Sequence, residues 1–177
     1  MEPEQSKGET AADAPVTGED VAAARDISLV IFRLGTQWFA LPTQVVREVT
    51  EVRTIRSIPR RNTEVLLGLV NLRGELQLCV SFNSLLGLES EQRRTRAKDR
   101  RGTARLVVIE KGGDRWVFPA DEVPGVFHFA PREFQEMSMA PAEGAALACK
   151  GMVRWLEKQV GYLDETVLFD TLKGCIS

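Results

Sequence analysis

The chain contains its own approximate copy. Trp38-Phe39-Ala40-Leu41-Pro42, followed by Val46 and Val49, recurs as Trp116-Val117-Phe118-Pro119, followed by Val123 and Val126. In both copies the valines stand at the same distances after the proline. Further on, Gly68-Leu69-Val70 recurs as Gly151-Met152-Val153, and equal steps from each glycine reach Ser81 and Asp164. Each is a good N-cap opening a short apolar helix, with Leu85-Leu86 in one copy matching Leu168-Phe169 in the other. The period is longer than that of solenoid repeats, so the pattern reads as two packed copies of one small β unit. A chain of 177 residues with 44% hydrophobic content holds one domain, or two small lobes around a shared core. The first copy's later strands lie beyond a linker from its early ones, so strands are expected to pass between lobes. On this alignment Trp38 and Trp116 are equivalent. Together with Trp155 they read as strand residues packed in the core rather than a ligand cage.

Leu66–Val80 is the most specific stretch. Two apolar runs flank Asn71-Leu72-Arg73-Gly74, and the second alternates through Leu76, Leu78 and Val80, as a half-buried strand does. Gly74 permits a turn or bulge that other residues adopt only under strain. Arg73 therefore sits at a strand junction, where it either reaches a partner or folds over its own barrel and caps carbonyl groups. Elsewhere, Leu29–Leu34 and Trp38–Leu41 read as strands joined at Gly35-Thr36. Val45–Val52 continues, and Leu106–Ile109, a Lys111–Asp114 turn and Trp116–Pro119 form a hairpin. Residues 1–26 are acidic and carry no aromatic residue, which predicts a disordered tail. Residues about 89–103 are charged without an apolar face and read as a long surface loop. The ordered domain is expected over 27–177, mainly β with a few short helices.

The inventory for catalysis is thin. His128 is the sole histidine and lies in a strand-like context, so a Ser-His-Asp set or a two-histidine metal site would have to share it. Asp121 and Glu122 are adjacent, and neighbours on a strand point apart, which suits poorly the paired work of general acid and base. Neither GxxxxGK[ST] nor GxGxxG occurs. Cys79, Cys149 and Cys175 lack CxxC spacing and read as free thiols of a reducing compartment. No catalytic residue, metal ligand or cofactor is expected. The N-terminus has no apolar stretch of a secretory signal, and no run reaches the ~18 apolar residues of a membrane span. The basic cluster Arg93, Arg94, Arg96, Lys98, Arg100 and Arg101 is broken by Asp99 and has no interleaved aromatic residues, so a solvated loop is preferred to nucleic-acid binding.

The segment from Gly68 to Gly74, which reads Gly-x-x-Asn-Leu-Arg-Gly ahead of a hydrophobic strand, resembles the signature of the CheW family. These are adaptors that couple chemoreceptors to their histidine kinase. The likeness covers roughly Ile27 to Ile176. It departs from Leu78 onward: Leu78, Cys79, Val80, Ser81, Phe82 and Asn83 stand where the family usually has Pro-Val-[Ile/Val]-Asp-Leu-Arg, which removes an Asp and an Arg but leaves Ser81 as a cap. The wording of Phe32–Gly35, Trp38–Pro42 and Gly74–Ser81 is similar to auxiliary adaptors of Wsp-type surface-sensing systems. The resemblance implies a pair of SH3-like five-stranded barrels and a cytoplasmic, non-enzymatic coupling protein recruited to membrane receptor arrays. Its implied partners are the chemoreceptor's cytoplasmic tip, the regulatory domain of a CheA-type kinase and other CheW-like proteins, with no nucleic acid and no membrane insertion. Carried over position by position, it implies Val46, Gly68, Asn71, Leu72, Arg73 and Gly74 as the receptor side. Gly68 is expected to let a helical partner approach the backbone. Glu48 and Val49 are implied for the kinase, whose regulatory domain pairs barrel end to barrel end. The rival readings are a regulatory fragment cut from such a kinase, disfavoured by the length and the complete second repeat, and a basic-loop nucleic-acid binder.

Overall fold

The structure, a computed structural model, describes residues 25–59, 63–88, 102–136 and 148–176. Strands β1 (Ile27–Leu34), β2 (Gln37–Pro42), β3 (Val46–Glu51), β4 (Ile55–Arg56), β5 (Leu66–Leu72) and β6 (Glu75–Val80) lead into helix α1 (Phe82–Leu85). The second half repeats the order with β7 (Arg105–Lys111), β8 (Asp114–Ala120), β9 (Glu122–Phe129), β10 (Phe134–Gln135), β11 (Cys149–Trp155), β12 (Lys158–Leu163) and helix α2 (Glu165–Ile176). Of the expected tail only Arg25 and Asp26 are described, and of the expected charged loop only Gly102 and Thr103; the rest of both lies outside the described residues.

Two sheets form, ordered β10-β11-β12-β2-β1-β9 and β4-β5-β6-β8-β7-β3. Each has five longer strands plus one two-residue strand, as two SH3-like lobes. The sheets are permuted images of each other: each takes four consecutive strands from one repeat and the opening hairpin of the other. Strands are therefore exchanged between lobes, as the linker between early and late strands suggested. The hinge of the exchange is a parallel contact in each sheet, β12 beside β2 and β6 beside β8. The irregularities repeat too. One extra residue bulges from β3 between Val46 and Glu48 and from β9 opposite Ile31–Arg33, and another from β5 and from β11 just before Gly68 and Gly151.

Alternation along β1 explains why the lobes adhere. Leu29 and Ile31 enter the core of the first lobe with Ala40, Val153 and Val160, while Phe32 and Leu34 point the other way into a core shared by both lobes. Phe82 of α1 stacks on Phe118 of β8 there at 3.7 Å between ring centroids, and Leu168, Phe169 and Leu172 of α2 close the same core. Val70, Leu106, Val108 and Val117 fill the second lobe. Both N-caps behave as the sequence suggested. Ser81 Oγ accepts from Ser84 N–H, Asp164 Oδ1 accepts from Thr166 and Val167 N–H, and the backbone N–H groups of both caps bond the paired carbonyls of Val65 and Ala148.

The tryptophan alignment is corrected by one position. Both opening hairpins turn over two residues, with Leu34 facing Gln37 and Lys111 facing Asp114. Counting from those turns, Trp38 matches Arg115, and Phe39 matches Trp116. A one-residue shift reverses the face of a strand. Trp116 accordingly lies buried in the shared core, whereas Trp38 stays partly exposed in the first lobe against Trp155, with centroids 5.3 Å apart.

Candidate functional site

The β5–β6 hairpin closes with Leu72 opposite Glu75, leaving Arg73 and Gly74 as its two-residue loop. Both are left-handed, with φ of 53° and 91°, the requirement of a type I′ turn whose twist matches the strands it joins. Glycine adopts this freely, and arginine does not. Asn71 compensates, its side-chain oxygen accepting the Gly74 N–H at 2.8 Å. The sequence Asn-Leu-Arg-Gly thus builds a rigid turn that projects an arginine side chain, 82% exposed, from the end of the second lobe.

That side chain meets β3. Arg73 Nη2 donates to Glu48 Oε1 at 2.7 Å. The bulge after Val46 makes this possible: it leaves Arg47 and Glu48, adjacent in sequence, both directed to the lobe's open end. Arg47 approaches Glu110 at 3.6 Å, and Arg115 bonds Glu110 at 2.7 Å and Glu75 at 3.2 Å. Hydrogen bonding to Glu110, reinforced by the Glu110 and Glu75 charges, raises the Arg115 pKa further still, so its charge is permanent. Leu72, Gln77 and Val108 complete the lining of an open cavity of about 380 Å³ rimmed by these alternating charges.

The residues singled out from the sequence separate onto three surfaces. Glu48, Leu72 and Arg73 share the cavity. Asn71 lies on the opposite face of the hairpin, beside Leu69 and Leu76, in a groove of about 580 Å³ under β4. Val46 packs against the shared core, and Val49 is 40% exposed on the face of β3 away from Glu48. Gly68 is buried, with φ of +141°, and a Cβ there would stand 2.1 Å from the Arg56 carbonyl oxygen. The space that the sequence reading kept for a partner helix is filled by the chain's own β4. Arg73 and Glu48, which the sequence resemblance assigned to different partners, form one ion pair. The sequence reading passed over Arg47, Glu75, Glu110 and Arg115. A signal for two of them existed: Glu110 and Arg115 flank the Gly112-Gly113 turn at positions that face each other across a hairpin.

The equivalent end of the first lobe is aromatic. Leu156 takes the place of Arg73 with φ of 56°, Trp155 that of Leu72 and Lys158 that of Glu75. Trp38 and Phe127 pack on Trp155, and the Lys158 ammonium lies 5.3 and 5.4 Å from the Trp38 and Trp155 centroids. The remaining polar candidates hold structure. Asp121 accepts from Gly35 N–H, Glu122 accepts from Arg33, and His128 Nδ1 lies 2.8 Å from Ser28 Oγ on the exposed face of β1 and β9. Burial pushes the Cys79 thiol up to about 12 and Cys149 to about 11. Among the described residues, no helix is long and apolar enough to cross a membrane.

Two interlocked SH3-like lobes carrying an Asn-Leu-Arg-Gly turn define a class of protein, and the family comparison agrees. The CheW-like domain model matches residues 28–173, and the chain belongs to that family. Among solved structures, it is similar to the scaffolding protein TtCheW from Thermoanaerobacter tengcongensis. The TM-score is 0.64 and the identity 18%, over 79% of this chain and 85% of that one. No curated protein matches it in sequence.

Proposed function

We propose that this chain is a non-enzymatic adaptor that holds a chemoreceptor's cytoplasmic tip and a CheA-type histidine kinase in one geometry. The observation that carries the reading is the Arg73–Glu48 pair on the rigid Asn71–Gly74 turn. A charged group held out on a two-residue left-handed loop gains little for the fold, since exposed ion pairs contribute only about 0–1 kcal/mol. It offers a partner a preset, exposed guanidinium, the group enriched at interface hot spots. Leu72, Arg73 and Glu48 form the contact surface of this proposal, with Asn71 flanking it. Gly74 shapes the turn, and Gly68 and Val46 hold the lobe beneath it.

Because Glu48 is tied to Arg73, receptor and kinase contacts are coupled rather than separate. A receptor that engages Arg73 releases Glu48, and only such state-dependent contacts can transmit a signal. Val49, exposed beside Glu48 on the other face of β3, extends the kinase-side surface. The setting is the cytoplasmic face of membrane receptor arrays, where other CheW-like proteins are further partners. The Wsp-type assignment to surface sensing is tested by the neighbouring genes, which should include a response regulator fused to a diguanylate cyclase. The adaptor reading is tested by reconstitution. A receptor cytoplasmic fragment and a CheA-type kinase should co-sediment, with increased autophosphorylation, only when the chain is added. Kinase stimulation independent of the chain, or nucleotide turnover by the chain alone, would end this reading.

A further inference from the structure

The groove on the outer face of the β5–β6 hairpin has a one-sided chemistry. Its floor is Leu69, Leu76, Ile58 and Pro59, and Leu76 is 63% exposed. Its rim carries Arg53 and Arg56, both exposed, and among the described residues no acidic one lines it. Among the described residues neither arginine has a salt-bridge partner, in contrast to the arginines of the cavity on the other side of the hairpin, each paired with a glutamate. An apolar floor under unpaired cations calls for an occupant that brings apolar side chains and carboxylates together.

The chain carries such a segment. Residues 1–24 lie outside the described residues and hold six acids (Glu2, Glu4, Glu9, Asp13, Glu19 and Asp20) against one lysine, Lys7. Pro15-Val16 and Val21-Ala22-Ala23-Ala24 supply the apolar share. We propose that this acidic N-terminal segment docks in the Arg53–Arg56 groove of its own chain. Reach is no obstacle. Twenty-four extended residues span up to about 80 Å, whereas a domain of this size has a radius of gyration of about 15 Å. Tethering gives the segment an effective concentration of order millimolar, so weak contacts suffice to occupy the groove. The arginines of residues 93–101 also attract acids, but their stretch has no apolar residue except Ala97, so they match only half of the segment's chemistry.

The consequence rests on the proposed function. Asn71 lines the groove, so a docked segment covers one flank of the receptor-binding turn and tunes its access electrostatically.

The test uses the full chain with the photoreactive residue benzoylphenylalanine in place of Val16, irradiated and mapped by mass spectrometry. Adducts should concentrate on residues 53–59 and 69–76, within single chains in a mixture of isotopically light and heavy protein. They should weaken as salt is raised from about 0.05 to 0.5 M and fall at least about tenfold in the variant Arg53→Glu/Arg56→Glu. If that variant does not fold, conversion of the six acids to their amides leaves the groove intact and should give the same loss. Adducts on residues 93–101, adducts between copies, or adducts that survive charge removal would each overturn the proposal. The adduct pattern is read without receptor. A positive map with no change in receptor affinity for the amide variant would therefore fault the functional assignment and leave the docking intact.

Discussion

Arg73 and Leu156 occupy the same place in the two lobes, the first loop residue of a β-hairpin, with left-handed φ of 53° and 56°. The fold imposes the conformation twice and fills it once with a cation and once with an apolar side chain. The two lobe ends therefore share a geometry and differ in chemistry. Around Arg73 lie Glu48, Glu75 and Arg115; around Leu156 lie Trp155, Lys158 and Trp38.

Replacing Arg73 by glycine separates backbone cost from side-chain function. The left-handed position costs a non-glycine residue of the order of 1 kcal/mol, and the exposed pair with Glu48 contributes at most about as much. Chemical denaturation should find Arg73→Gly within about 1 kcal/mol of the parent chain. A loss several times larger would show that Arg73 is structural.

Gly68→Ala should behave in the opposite way. Its Cβ has no room beside the Arg56 carbonyl, and φ of +141° suits glycine alone. The variant should lose about 2–4 kcal/mol in urea unfolding, in the range of strained or overpacked sites. Any loss of partner binding should track the loss of folded protein. A fully stable Gly68→Ala that no longer binds receptor would return Gly68 to the contact surface.

These two positions show what could be read from the sequence. Strand positions, the Ser81 and Asp164 caps, the two-lobe architecture and strand sharing were legible, because each depends on local pattern and on the spacing of two copies. The single-residue bulges in β3, β5, β9 and β11 were not, since a glycine within a strand run, such as Gly68, Gly125 or Gly151, fits a bulge, a turn or a close backbone approach equally, and β3 has no glycine at all. Those bulges decide that Glu48 reaches Arg73 and that Gly68 meets β4. The tryptophans misled the alignment for a related reason. A conspicuous residue type outweighed the turn lengths that set register, and the error of one position equated Trp38, partly exposed at the first lobe's end, with Trp116 in the shared core.

Asn71→Ala removes the side-chain acceptor of the Gly74 N–H. One hydrogen bond is worth about 0.5–1.5 kcal/mol, and this one is exposed, so the low end of that range is expected in thermal or urea melts. Amide hydrogen exchange at Gly74 should accelerate. Unchanged exchange at Gly74 would show that the turn does not depend on Asn71.

Thiol titration follows from burial. Apolar surroundings hold Cys79 protonated up to about 12 against an ordinary 9.0. The folded state therefore binds that proton over a pH range in which the unfolded chain has released it. Its contribution to stability is complete below pH 9 and declines as pH rises from 9 toward 12. Melting temperature should fall over that interval, and less steeply in Cys79→Ala. At pH 8 Cys79 should react with a thiol reagent only on unfolding. Prompt labelling of Cys79 in the folded protein would contradict its place in the second lobe's core.

The central claim is that the Arg73–Glu48 pair serves partners rather than the fold. Its most direct test is the binding of a receptor cytoplasmic fragment, by titration calorimetry, to Arg73→Glu, Glu48→Arg and the double exchange. The account predicts folded proteins melting close to the parent chain. Arg73→Glu should bind receptor at least about tenfold more weakly, the equivalent of ~1.4 kcal/mol, and the double exchange should not restore receptor affinity although it restores the internal pair. Parent-like receptor affinity in a stable Arg73→Glu, or full rescue by the exchange, would contradict it.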